Sequence, residues 1–462
     1  MKQLLAFLSC TALCLLPNIV QAQTYTPSNR RPAADNSQIG TIVNPTGANN
    51  FNITGGLQRG QNLLHSFSDF SVPTNGSANF TNPQGNQAII TRVTGNNFSD
   101  INGLLNTNGA NFLLINPHGV VFGTGVKLDV GKAFVTSTAS GVDFVDAAGR
   151  NYNFGVNRAG DVPLLSIDPN VAFNPARLIM NASIPGSRGI ENYGILQNKN
   201  PGQYIGLIGG DVNFYGGQLI APGAKVELGG LKQSGTVGFS LENGVQFPAN
   251  VDRGNVSLVT SGTLPSVINV ESSGGGSVGI FARDIAVEGT GTIISAGIAP
   301  RLGSPTATAG NIKLNATGNI KLSDGAAIRN RVRTGAEGNG GGIEIVASNL
   351  AVTKGSFVET RTFGQGDAGQ ITIDTNGKLL MDSSRIESTI GSAGVGNSKG
   401  IKIDARELEL TNASRIRSNT YQSALVNGNG NAGDIDLKIK GNITILKDSF
   451  IDTSTYGQGD AG

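Results

Sequence analysis

The chain has 462 residues, 67 of them Gly and 47 Asn, with 34 Lys+Arg against 32 Asp+Glu and 38% hydrophobic residues. A net charge of +2 favours neither a polyanion nor a polycation as partner, and the apolar content is too high for a disordered chain. Gly at about twice its usual frequency, without a three-residue period, excludes collagen and leaves an all-β chain rich in turns.

Residues 1–22 read as a secretory signal. Lys2 gives the charged start, residues 4–16 form an apolar run too short to span a bilayer, and Val20-Gln21-Ala22 offers small residues for cleavage before Gln23. Both cysteines, Cys10 and Cys14, fall inside it. The mature chain therefore has no disulfide and no apolar stretch long enough to cross a membrane. A secreted protein without disulfides fits a chain that must cross a second membrane unfolded. Residues 23–38, rich in Pro, Asn and Ser, read as a mobile lead-in.

From about residue 50 the chain alternates short apolar strands with turns. Asn116-Pro117-His118-Gly119-Val120 follows the apolar run Phe112-Leu-Leu-Ile115 and precedes Val121-Phe122. Asn-Pro-x-Gly between two strands makes a tight turn, because Pro fixes φ and Gly tolerates a positive one. Alternation continues through Val212-Asn-Phe214, Lys225-Val-Glu-Leu228, Val256-Ser-Leu258 and Val278-Gly-Ile280.

From residue 310 the pattern repeats. Gly310, Gly342, Gly369, Gly400, Gly433 and Gly462 each open a unit, at intervals of 32, 27, 31, 33 and 29. Inside the units, strand positions recur at Ile312, Ile343, Ile371, Ile401 and Ile435. A second set is Ile320/Leu322, Leu350/Val352, Leu379/Leu380, Leu408/Leu410 and Ile443/Ile445. A third is Ile328, Val358, Ile386, Ile416 and Ile451. A period near 30 with three alternating strands predicts a parallel β-helix, each strand stacked on its equivalent one coil away. One coil buries too little apolar surface to offset its ordering entropy, so coils must stack and the ends need caps. Gly462 falls where another coil would begin, so we expect the chain to be incomplete at its C-terminus or to self-associate there.

Chemistry-bearing clusters are sparse. His65 and His118 are the only histidines, and no Cys or acidic spacing completes a metal site, so no metal or cofactor is expected. Thr362-Phe-Gly-Gln-Gly-Asp367-Ala-Gly369 returns as Thr455-Tyr-Gly-Gln-Gly-Asp460-Ala-Gly462. The two copies are too far apart for a tandem calcium roll and read as a repeated corner. Alternating charges at Lys402/Asp404/Arg406 and Asp434/Asp436/Lys438/Lys440 lie on an outer face. No basic stripe tracks a phosphate backbone, so no nucleic-acid partner is expected.

The run Gly60-Gln-Asn-Leu-Leu-His65-Ser-Phe67-Ser-Asp-Phe70, then Ile90-Thr-Arg92-Val93-Thr94-Gly95, Ile101-Asn-Gly103, Asn108-Gly109 and residues 112–123, resembles the secretion domain of two-partner-secretion exoproteins of the filamentous-haemagglutinin type. Gly216-Gly217-Gln-Leu219-Ile220-Ala221-Pro222-Gly223 and Val226-Glu-Leu-Gly-Gly230 extend the likeness, which covers about residues 38–290. The family's Asn-Pro-Asn-Gly-Ile motif stands here as Asn116-Pro117-His118-Gly119-Val120, with His at the third position and Val at the fifth. Its Asn-Pro-Asn-Leu motif matches poorly, at Asn82-Pro83-Gln84-Gly85.

The resemblance implies a right-handed parallel β-helix that a dedicated outer-membrane transporter recognises through its periplasmic domains. It implies an extracellular or surface location and no enzymatic role. Residues 116–120, and as a second candidate Asn82 and Pro83, would carry transporter recognition. Residues 23–290 would be the secretion and nucleation module, and 291–462 a stalk that adheres to glycans or surface proteins. A β-helical polysaccharide lyase or hydrolase, with carboxylates and a basic residue gathered on adjacent coils, is the alternative of a different class. A structural surface-layer or matrix protein is a third reading.

Overall fold

The computed structural model describes residues 23–462 except 83–84, 86, 147, 156–172, 181–183, 185, 199–203, 242–243, 250, 422–428 and 457–458. The proposed signal segment lies outside the described residues. No helix occurs among those described.

Alternating apolar side chains fill the interior of a parallel β-helix with three faces. The first face runs in register through Leu63, Ile89, Phe112, Phe134, Ile205, Val226 and Val278. It continues through Ile312, Ile343, Ile371, Ile401 and Ile435. At about 4.8 Å between strands these twelve rungs extend roughly 50 Å.

The second face aligns Val120, Ile190, Val212, Val256 and Ile285. Beyond it come Ile320, Leu350, Leu379, Leu408 and Ile443. The third aligns Leu196, Leu219, Ile268 and Ile294, then Ile328, Val358, Ile386, Ile416 and Ile451. One apolar cluster extends from Ile53 to Ile416. All strand pairings beyond residue 310 among the described residues are parallel. The sequence anchors of the three sets therefore stack as read, with one change. Leu380 is half-exposed and Met381 takes the core position, pairing with Val352 and Leu410.

Three expectations are corrected. Coils near 30 residues do not run the whole length; Ile89, Phe112 and Phe134 are in-register partners only 23 and 22 residues apart. The later coils are longer because the chain makes an extra bend after the third face, where Glu337, Gln365, Val395 and Asn429 bridge in parallel.

Residues 23–38 are not a loose lead-in. Ala33–Ala34 pairs antiparallel with the strand Asn62–Asp69, and the preceding residues lie across the second face.

The solenoid is also not bare. Gly141–Asp146, Asn151–Phe154, Phe173–Met180, Gly235–Ser240 and Gly244–Gln246 form an antiparallel sheet outside the helix. It covers Leu64, Ile90, Leu113 and Val135, which point away from the interior of the first face. Strands such as Phe112-Leu-Leu-Ile115 are apolar on both sides, and a doubly apolar strand must be covered on both. Further on, the equivalent outward row becomes Lys313, Glu344, Thr372, Lys402 and Asp436, and needs no cover.

The Gly-Gln-Gly-Asp segment at 364–367 is a corner, and Asp460 holds the equivalent place in its second copy. Asp367 N donates to Asn339, Asn397 N to Asp367, Asn431 N to Asn397 and Asp460 N to Asn431, at 2.9–3.0 Å. This ladder of side-chain oxygens accounts for part of the Asn excess. The glycine before each, such as Gly366 at φ 125°, sits where a Cβ would press into the preceding corner's backbone. Among the described residues no three His, Cys, Asp or Glu side chains are grouped to hold a metal ion.

Candidate functional site

Residues 116–120 turn the chain from the first face to the second. Phe112–Ile115 pairs within the first face, and Val120–Phe122 lies between Ser99–Ile101 and Ile190–Asn192 in the second. A corner joining two buried strands must satisfy its own polar groups.

Asn116 does this. Its side chain is fully buried. Nδ2 donates to Asn97 O and to Ser99 Oγ, both at 3.0 Å, while Oδ1 accepts His118 N at 2.9 Å. The Gly119 N–H closes the turn on Asn116 O at 3.0 Å. Gly119 has φ 113°, and a Cβ there would lie 2.8 Å from Gly189 O.

The next coil is tied to the same corner. Val120 N donates to Gly189 O, Arg188 N to His118 O, and Ser187 Oγ to Pro117 O. Asn116, Gly119 and Val120 are buried, whereas Pro117 and His118 are half-exposed. The first three therefore shape the corner, and the other two lie at its surface.

Beside the turn lies a cluster that sequence reasoning missed. The Phe98 ring carries two guanidiniums, those of Arg30, 4.0 Å from its centroid, and Arg188, 4.9 Å away. Arg188 grips Glu191 with two nitrogens, Nη2 at 2.7 Å. Tyr25, Tyr193 and Tyr215 form a row with centroids 5.3 and 5.2 Å apart. Tyr25 Oη donates to Asp100 at 2.7 Å, and Tyr193 Oη donates to Glu191 at 3.0 Å. Burial, then the adjacent carboxylates, holds the Tyr25 and Tyr193 phenols above their ordinary range and pushes Tyr215 up to about 12. All three phenols stay neutral, and Tyr25 and Tyr193 donate. A signal was present: Tyr193 and Tyr215 each directly follow a second-face position, one coil apart.

The second candidate motif is not brought to this corner. Asn82 follows the third-face strand Ser77–Phe80, on the way back to the first face, and its carbonyl accepts Gly85 N. Pro83 and Gln84 lie outside the described residues. His65 is a buried packing residue. Its ring lies 5.3 Å from Phe80 and its Nδ1 is 3.3 Å from Thr41 Oγ1.

Comparison with known proteins gives a family and a similar fold. The model of the TPS secretion domain family matches residues 27–280. Among solved structures, the HMW1 secretion domain from Haemophilus influenzae is similar, with 17% identity and a TM-score of 0.53. That similarity covers 89% of this chain and 97% of the HMW1 domain, and the shared feature is the fold. A filamentous hemagglutinin secretion domain is also similar, with 12% identity, a TM-score of 0.36, and coverage of 90% of this chain and 100% of that one. No curated protein matches the chain.

Proposed function

The chain belongs to the TPS secretion domain family, and from that premise we propose that residues 116–120 shape the surface its transporter recognises. Membership makes the protein a two-partner-secretion exoprotein, exported through the outer membrane to the cell surface or the extracellular space. The family is one of secretion domains, and its partner is an outer-membrane transporter.

The observation that carries the proposal is the split exposure of the corner. Asn116, Gly119 and Val120 are buried in bonds that bridge three coils, while Pro117 and His118 are half-exposed, and His118 O accepts the backbone N–H of Arg188, whose guanidinium lies over Phe98. Such a surface forms only if the corner forms. Residues 23 to about 290 then act as secretion and nucleation module, and the remainder as a β-helical stalk whose work is adhesion. The division is supported by the covering sheet, whose last strand is Gly244–Gln246.

The test is export with the transporter co-expressed, assayed in periplasmic and external fractions. Asn116→Ile strands three partners, and Gly119→Val forces a branched residue into positive φ against Gly189 O. Both are expected to accumulate in the periplasm. Export of both at the wild-type level would overturn the role assigned to the corner.

A further inference from the structure

We propose that the outward side of the third face, from residue 327 to residue 417, is a docking strip for an acidic polysaccharide whose uronate carboxylates are gripped by arginine. The proposal rests on the reading of the protein as a displayed exoprotein, and gives its adhesive surface a ligand class.

Coil stacking gathers arginines that are scattered in sequence. Register places Arg331 beside Arg361, and Arg385 beside Arg415. Arg329, Arg333 and Arg417 flank them. The carboxylates among them are Glu271, Glu359, Glu387 and Asp452, fewer than the arginines by three, whereas the whole chain carries only +2. The positive excess of the molecule is thus concentrated on this strip. The strands Ile293–Ile298, Ala327–Val332, Phe357–Thr362, Arg385–Ile390 and Arg415–Thr420 contain no lysine. Lysines occupy the other two faces, for example Lys313, Lys321 and Lys402. Arginine is the side chain that matches a planar carboxylate with two parallel bonds.

The guanidiniums are held in place and still have an edge to offer. Arg331 Nε donates to Glu359 at 2.6 Å and Arg415 Nε to Glu387 at 2.8 Å, with both carboxylates almost fully buried. Arg385 Nε lies 3.4 Å from the second oxygen of Glu387. The terminal nitrogens of these three arginines have no acceptor among the described residues. Arg385 lies 3.9 Å over Phe357, and Arg361 lies between Phe363 and Tyr421 at 4.5 and 4.7 Å. Half-buried, stacked arginines lose little freedom on binding. Their rows run along the helix axis, so the matching ligand is an extended polyanion rather than a small molecule.

The test is binding of the purified full chain to immobilised polygalacturonate. Binding that weakens as salt rises is expected. Arg329→Gln with Arg361→Gln, neither of which ion-pairs with a buried carboxylate, should weaken binding at least about tenfold while the chain stays folded, with a smaller drop in unfolding midpoint than Arg331→Gln with Arg415→Gln, which strand Glu359 and Glu387. Lys402→Gln with Lys438→Gln, on the first face, should bind as wild type. Absence of binding, equal binding to neutral dextran, retention on dextran sulfate alone, or shortening of the polymer would each overturn the proposal. Export of the arginine variant is followed in parallel. Normal export with lost binding supports the strip, and a wild-type chain that is exported but does not bind overturns it while leaving the role of the corner intact.

Discussion

The hydroxyl of Tyr25 donates to Asp100 Oδ1 at 2.7 Å, tying the first residues of the described chain to a coil about 75 residues further on. Ser28 N donates to the other oxygen of the same carboxylate at 2.6 Å, and Asp100 is only 2% exposed. The segment therefore works as a strap over the second face, and it seats only after the coil carrying Asp100 has formed.

Tyr25→Phe removes one of the two donors from a buried carboxylate. The expected loss is about 2 kcal/mol, the range for a hydrogen bond to a charged group. Limited proteolysis should then release peptides from residues 23–34 before any coil is cut. Unchanged proteolysis and an unchanged denaturation midpoint would show that the strap is held by its other contacts.

His65 predicts acid lability. Burial lowers its imidazole from 6.5 to about 4, so the folded protein favours the neutral ring. The folded value lies below the unfolded one, so this contribution is fully present above pH 6.5. It disappears as pH falls from 6.5 towards 4, by about 3 kcal/mol in total. His65→Phe places another ring beside Phe67 and Phe80 and should flatten stability over that interval. Urea midpoints measured across pH 4 to 7 decide it, and parallel curves for variant and wild type would exclude His65 as the cause.

Glu227 pins the covering sheet to the solenoid. Its Oε2 accepts Tyr204 Oη at 2.9 Å and Val245 N at 2.8 Å, and Lys225 Nζ stands 2.9 Å from Oε1. Glu227→Ala leaves a buried phenol and a buried amide without an acceptor. The cost should be about 2–3 kcal/mol. Amide exchange should speed up first in Gly244–Gln246 and only later in the neighbouring rungs. Uniform acceleration would mean that sheet and solenoid open together.

The β-helix was legible because its signal is one-dimensional. Ile312, Ile343, Ile371, Ile401 and Ile435 recur at nearly constant spacing, and parallel stacking turns that spacing into register. The Asn116 corner was legible for a similar reason, since Asn, Pro and Gly act within five residues. The covering sheet was not, because a doubly apolar strand does not name what lies over it. Phe112-Leu-Leu-Ile115 carried that warning all the same. The arginine strip was invisible for the opposite reason. Arg331 and Arg361 are 30 residues apart in the chain and become neighbours only through coiling. The strap escaped because its Pro-, Asn- and Ser-rich composition resembles a linker, and its anchors, Tyr25 and Ser28 on Asp100, Arg30 on Phe98 and the short Ala33–Ala34 pairing, are single contacts with no periodic signal.

Both excursions that build the covering sheet leave the solenoid at the bend where Asn116 sits, one after Ser137 and one after Gly229. Each time the second-face register resumes as though nothing had intervened, with Phe122 beside Asn192, Asn192 beside Phe214 and Phe214 beside Leu258. Excursion length at this position is thus uncoupled from the rise of the helix. The bend is a natural docking port for added sequence, where an epitope or a whole small domain could be spliced and carried outward without re-timing the rungs on either side.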